Sequence, residues 1–130
     1  MAFDVEKVRA QYPALADGRA WLDGAAGTQV PQPVIDAVTD AYRVGVSNVG
    51  GPYESSRRAS GIVAEARAAV ADLVGAPDPA CVVFGPSMTA LTYRFAAVLA
   101  DGWRPGDEVV VPQLDHDANV RPWVQHAQRA

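Results

Sequence analysis

The 130 residues hold a single cysteine, a single lysine and two histidines. One cysteine, Cys81, excludes a disulfide within the chain and any metal cluster built on several thiolates. No run approaches the ~20 apolar residues that a membrane-spanning helix needs. The first ten residues carry Asp4 and Glu6 and no apolar core, so they do not read as a secretory signal. Positive charge is scarce as well: a net charge of -4 gives the chain no electrostatic reason to seek nucleic-acid phosphates. These absences point to a cytoplasmic protein with no nucleic-acid or membrane partner. Of the eleven basic residues, ten are arginine and only Lys7 is lysine. Any chemistry that needs a lysine in a formed site therefore has one poorly placed candidate.

What is present is ordinary for a globular chain. Hydrophobic residues are 49% and charged residues 20%, a balance that argues against intrinsic disorder. Helical and short extended patterns alternate along the sequence. Residues 4–10 predict a short polar helix closed by Tyr12-Pro13, and residues 20–23 a short extended segment. Val34, Val38, Ala41 and Tyr42 recur at helical spacing, with Pro33 in the first turn and Gly45 as the stop. A loop by composition, 47–56, precedes a long helix over roughly 56–74 that ends at Gly75. CVVF (81–84) and EVVVP (108–112) are short continuous apolar runs, the pattern of buried parallel strands. Between them Ser87 opens a helix to about Ala100, long enough for a right-handed crossover. Pro122 sits in the first turn of a last helix. That helix carries no stop signal, so the sequence reads as the opening of a larger α/β protein, or as a split product that needs a partner to complete its sheet.

Four segments could carry chemistry, and each has a plainer alternative. In FGPSMTAL (84–91) an apolar run ends, the backbone turns at Gly85-Pro86, and Ser87 caps a helix. First-turn N–H groups, the positive end of the helix dipole and the Ser87 and Thr89 hydroxyls suit a phosphate, with the Met88 N–H pointing the same way; a simple serine cap is the alternative. In LDHDANVRPW (114–123), His116 lies between Asp115 and Asp117, which could raise its pKa or fix its tautomer; otherwise it is a surface histidine. In WLDGAAGTQVP (21–31) small residues let backbone approach a ligand, or simply make a tight turn. NVGGPYESSRR (48–58) reads either as a mobile loop over a site or as a solvated loop leading to a helix. Cys81 reads as a small buried hydrophobe, and Trp21, Trp103 and Trp123 as packing residues.

In order and spacing, these segments resemble the N-terminal third of the class V aminotransferases, the cysteine desulfurase-like branch of the fold type I pyridoxal-phosphate enzymes. The resemblance runs over about residues 4–127, through WLDGAAGTQVPQPVIDAV, NVGG, ARAAVADLVGA, VVFGPSMTALTYRFAAVL and PGDEVVVPQLDHDANVRPW, with DHDAN followed by PW the most diagnostic stretch. It implies an α/β fold: helices around an incomplete, mainly parallel sheet. Residues 1–55 would form an N-terminal segment with the small-residue turn and loop. Residues 56–130 would begin the large cofactor-binding domain, left incomplete at its C-terminal side.

The resemblance also implies roles. Ser87, the Met88 amide and Thr89 would hold the 5′-phosphate of pyridoxal 5′-phosphate. His116 would stack on the pyridine ring and help move protons at the carbon of an amino-acid substrate. Ala26 and Gly27 would line the substrate side. The 48–54 loop would approach the site, from the second subunit of a homodimer. Two features depart from better-known desulfurases: NVGGPYESS lacks their loop histidine, and Asp115-His116 replaces Glu-His. The family's Schiff-base lysine comes later in its chain and Lys7 matches no such position, so these residues alone are expected to be inactive and to fold poorly without their complement. The alternatives are a non-catalytic remnant or interaction module with the same partial fold, and an unrelated phosphate-binding α/β domain.

Overall fold

The computed structural model describes residues 3–129. Five α-helices follow one another: α1 (Val5–Arg9), α2 (Gln32–Val44), α3 (Glu54–Val74), α4 (Met88–Ala100) and α5 (Arg121–Ala127). Three single 3-10 turns lie between them, at Pro13–Leu15, Pro79–Cys81 and Asp117–Asn119. The helix ends follow from local chemistry. Asp4 caps α1 by accepting from the Lys7 N–H. Gly45, at φ +82°, ends α2. At the end of α3, Gly75 takes φ +68° while the Ala76 N–H reaches back to the Ala71 carbonyl at 2.9 Å, closing a Schellman turn.

The fold divides into two compact units, one up to Ala69 and one from Val70. In the first, the Gln32 N–H bonds the Gln11 carbonyl at 2.7 Å, tying the chain after α1 to the start of α2. Val38, Ala41 and Ile62 border clefts shared by α2 and α3. The α2 stripe stays open: Val34, Val38 and Tyr42 are all exposed. In the second unit, α4, the Asp117–Asn119 turn and α5 pack together. Ala96, Ala118 and Pro122 are buried there, and the Phe95 and Trp123 rings meet edge to face at 6.0 Å.

The two apolar runs do not form strands. Among the described residues there is no β-ladder. Residues 79–81 wind into a 3-10 turn because Asp78 Oδ1 accepts from the Ala80 N–H at 2.7 Å. Cys81 closes that turn and is exposed, contrary to its expected burial; Val82 is the buried residue and the first extended one. Around Val110 the side chains alternate as in extended backbone, with Val109 and Val111 half-buried and Val110 92% exposed. One face of this run is turned partly away from solvent and the other toward it. An extended run becomes a strand only when a neighbour takes its N–H and C=O groups, and neither run has one here. Trp21, expected to pack, is also exposed.

The balance of burial agrees. The chain exposes 10381 Å². A compactly folded chain of 13.7 kDa exposes about 6,600 Å². The buried side chains are mostly small, whereas Phe84, Phe95, Val98 and Leu114 are exposed.

Candidate active site

The second unit brings two of the expected segments together. Ser87 caps α4 in extended geometry, its Oγ accepting from the Ala90 N–H at 3.2 Å. The Leu91 N–H goes to the Ser87 carbonyl at 3.0 Å. Met88 and Thr89 are the first two residues of the helix, so their N–H groups have no carbonyl available within it. The two free amides and the positive end of a 13-residue helix thus lie at one exposed end, next to the Ser87 cap. A Cβ at Gly85, behind that end, would come within 2.5 Å of Leu91 Cδ2, so the Leu91 side chain would have to shift.

His116 precedes the 3-10 turn that packs against α4. Its Nδ1 accepts the Ala118 N–H at 3.1 Å. That bond assigns the neutral ring its tautomer, with the proton on Nε2. The neighbouring carboxylates, expected to act on the imidazole, are engaged elsewhere. Asp115 Oδ1 accepts from the His116 N–H and Oδ2 from Asn119 Nδ2, both at 2.7 Å. Asp117 accepts from Arg121 Nε at 2.7 Å, and that hydrogen bond raises the Arg121 guanidinium above its usual pKa, helped by charge attraction. Asn119, which sequence reasoning passed over, links the Asp115 carboxylate to the Trp123 indole, whose Nε1 donates to its Oδ1 at 3.4 Å.

A cleft of about 600 Å³ opens in this unit, lined by Phe84, Leu91, Thr92, Phe95, Asn119 and Trp123 among others. Neither Ser87, Met88, Thr89 nor His116 lines it. The Thr92 hydroxyl is already bonded to the Met88 carbonyl at 2.9 Å. The cleft is mostly apolar, and it lies beside the start of α4 rather than at it.

Ala26 and Gly27 lie in the first unit, on a turn closed by the Ala26 N–H bonding the Asp23 carbonyl at 2.8 Å. A Cβ at Gly27 would meet nothing within 4 Å, so local packing does not demand glycine there. In the same unit the 44–53 loop is tied down rather than merely solvated. Ser56, fully buried, donates to the Asn48 carbonyl at 2.6 Å and accepts from the Gly51 N–H at 2.7 Å. Arg58 Nη1 donates to the carbonyls of Val44 and Gly45 at 2.9 and 2.7 Å, and Arg57 reaches the Pro52 carbonyl. The residues that tie it down, Ser56, Arg57 and Arg58, lie at the start of α3, a few positions after the Gly50-Gly51 pair. Among the described residues, no three His, Cys, Asp or Glu are grouped to hold a metal ion, and no helix is long and apolar enough to cross a membrane.

Comparison with known proteins places these features in a lineage. A family model for aminotransferase class-V matches residues 20–130. A probable cysteine desulfurase of Pseudomonas aeruginosa is 39% identical over 126 residues, covering 93% of this chain and 31% of that protein. The cysteine desulfurase CsdA of Escherichia coli is 33% identical over 129 residues, covering 98% and 32%. A crystal structure of CsdA in its S-sulfonic acid form matches with a TM-score of 0.83 at 32% identity, over 99% of this chain and 33% of that one. The chain therefore spans about a third of the length of these relatives, and of others as little as 19%, and has the fold of the matched part.

Proposed function

Because the chain belongs to the aminotransferase class-V family, we propose that it forms the N-terminal part of a pyridoxal-phosphate-dependent enzyme of the cysteine desulfurase type, acting on an amino acid. The observation that carries this reading is the α4 corner, where the Met88 and Thr89 amides and the Ser87 and Thr89 hydroxyls form a donor set suited to a phosphate dianion. Pyridoxal 5′-phosphate, when bound, supplies an electron sink for chemistry at the α-carbon of an amino acid. The chain's own contribution is to anchor and orient. Ser87 and Thr89 donate O–H groups to phosphate oxygens, beside the two amides. The His116 imidazole would stack on the cofactor's pyridine ring; with Nδ1 held by the Ala118 N–H, Nε2 would be the nitrogen left to carry a proton toward the substrate. Ala26 and Gly27 leave room for substrate, and the 48–54 loop borders it, from the second subunit of a cytoplasmic homodimer.

The imine-forming lysine is proposed to come from outside these residues. Lys7 lies on α1 in the first unit, whereas Ser87 and His116 belong to the second, and it matches no lysine position of the family's motif. A non-catalytic relative with the same partial fold is the alternative. The test compares pyridoxal 5′-phosphate with pyridoxal. The chain should prefer the phosphorylated form, and Ser87→Ala should weaken that preference by about tenfold or more, since hydrogen bonds to a charged group contribute roughly 1.5–3 kcal/mol each. Equal affinity for the two compounds would remove the phosphate assignment. A borohydride-trapped adduct at Lys7, together with turnover, would overturn the assignment of the lysine.

A further inference from the structure

Irregular segments that border a ligand commonly owe their shape to that ligand. The 44–53 loop owes its shape to the helix that follows it. From the first two turns of α3, Ser55 pairs with Ser47 (Oγ to Oγ 3.1 Å), Ser56 bridges Asn48 and Gly51, and Ser60 Oγ accepts the Gly50 N–H at 3.3 Å. Arg58 clamps the carbonyls of Val44 and Gly45 through Nη1, while its Nη2 is held by Glu54 at 2.9 Å. Ser56 is the centre of this arrangement. Its hydroxyl is fully buried, and both of its hydrogen bonds are short and made to loop backbone. Gly51 has to be glycine for the approach, since a Cβ would lie 3.1 Å from Ser56 Oγ and 2.7 Å from the Tyr53 ring. Gly50 turns the chain at φ +87°.

We propose that Ser56 and Arg58 are positioning residues that set the backbone of residues 44–51 before any ligand arrives, so that the loop is a preformed wall of the substrate side and not a lid. The assignment of the wall to the substrate side rests on the function proposed above; the preforming does not. A buried hydroxyl that satisfies one N–H and one C=O cannot be removed without leaving both unpaired. The loop should therefore loosen locally while the helices remain.

Hydrogen exchange on the ligand-free chain reads this directly. In the parent chain the Gly50 and Gly51 amides should exchange slowly although they lie in a loop. Ser56→Ala should speed Gly51 exchange about tenfold or more with the far-UV helical signal unchanged. Ser56→Cys, which keeps a weak donor, should restore part of the protection, an order that simple loss of packing volume does not produce. Arg58→Lys, which forfeits the clamp on two carbonyls but leaves the hydroxyl in place, provides a second route should Ser56→Ala fail to fold; it should loosen residues 44–45 and leave Gly51 protected. In the pyridoxal-phosphate-loaded enzyme containing this chain, with L-cysteine as probe, Ser56→Ala should raise KM about tenfold while kcat changes less than twofold. Fast exchange of Gly51 in the parent chain, or unchanged exchange in Ser56→Ala, overturns the proposal. Absence of a borohydride-sensitive band from the parent enzyme would instead overturn the proposed function and leave the exchange result standing. An intact band with an unmoved KM would take the wall away from the substrate side.

Discussion

The 44–53 loop and the 108–112 run make opposite use of their backbone. By pattern the loop has little to recommend it: two adjacent glycines, a proline and no periodicity. It is nonetheless held at Val44, Gly45, Asn48, Gly50 and Gly51 by side chains of α3. The apolar run has as strong a strand pattern as the sequence offers, yet its central residue, Val110, is 92% exposed. The difference is range. Each loop bond closes between residues no more than 14 apart, so the sequence that needs the partner also supplies it. A strand needs a ladder from elsewhere, and pattern records only the demand for one.

The largest effect expected from this comparison is at Ser56. Replacing it with alanine should cost the first unit about 1–2 kcal/mol, because the Gly51 N–H and the Asn48 C=O both lose a buried partner. A shift of the urea midpoint at unchanged slope would measure it. A cost below about 0.5 kcal/mol would mean that water replaces the hydroxyl without penalty, and the loop would then be no better satisfied than the open runs.

The same distinction explains how much was legible beforehand. Helix ends come from residues within a turn of them, and Asp4, Gly45, Gly75, Ser87 and Pro122 mark theirs in the sequence. The Ser87 cap was legible for that reason: Ser87, Met88 and Thr89 are neighbours, and the geometry of a cap is local. The environment of His116 was only half legible. Two flanking aspartates suggested control by carboxylates, yet Asp115 and Asp117 had nearer partners in Asn119 and Arg121, and a backbone N–H holds the ring. The Ser56 clamp was missed because serine at the start of a helix ordinarily signals a cap, and nothing in composition says that such a side chain will turn back onto the preceding loop. The sheet was legible only as a demand, because apolar continuity states what a segment would bury, not whether the chain brings something to bury it against.

A second test uses Gly85, where the two regimes meet at the end of the 81–84 run. Alanine there would place its Cβ 2.6 Å from Leu91 Cγ, so Leu91 must move. It has somewhere to go, since it lines the open apolar cleft. Gly85→Ala should therefore cost about 1 kcal/mol, the low end of the range for overpacking. Denaturant unfolding of the chain gives the number. A cost of about 3 kcal/mol would mean that the cleft is closed in solution and that the run is packed after all.

The smallest effect should be at Val110. Its side chain gives up almost no burial, and Val→Thr keeps the β-branched shape, so Val110→Thr should change stability by less than about 0.5 kcal/mol, as surface substitutions away from special features do. The half-buried neighbours Val109 and Val111 provide the internal control, because the same replacement there puts a hydroxyl on the face turned partly away from solvent and should cost more, roughly 1 kcal/mol or above. What matters is the alternation, not any single value. A run that is extended with one face turned partly away from solvent gives two costly positions around a neutral one. If Val110→Thr is as costly as its neighbours, both faces of the run are covered in solution, as in an interior parallel strand, and the contrast with the self-sufficient loop disappears.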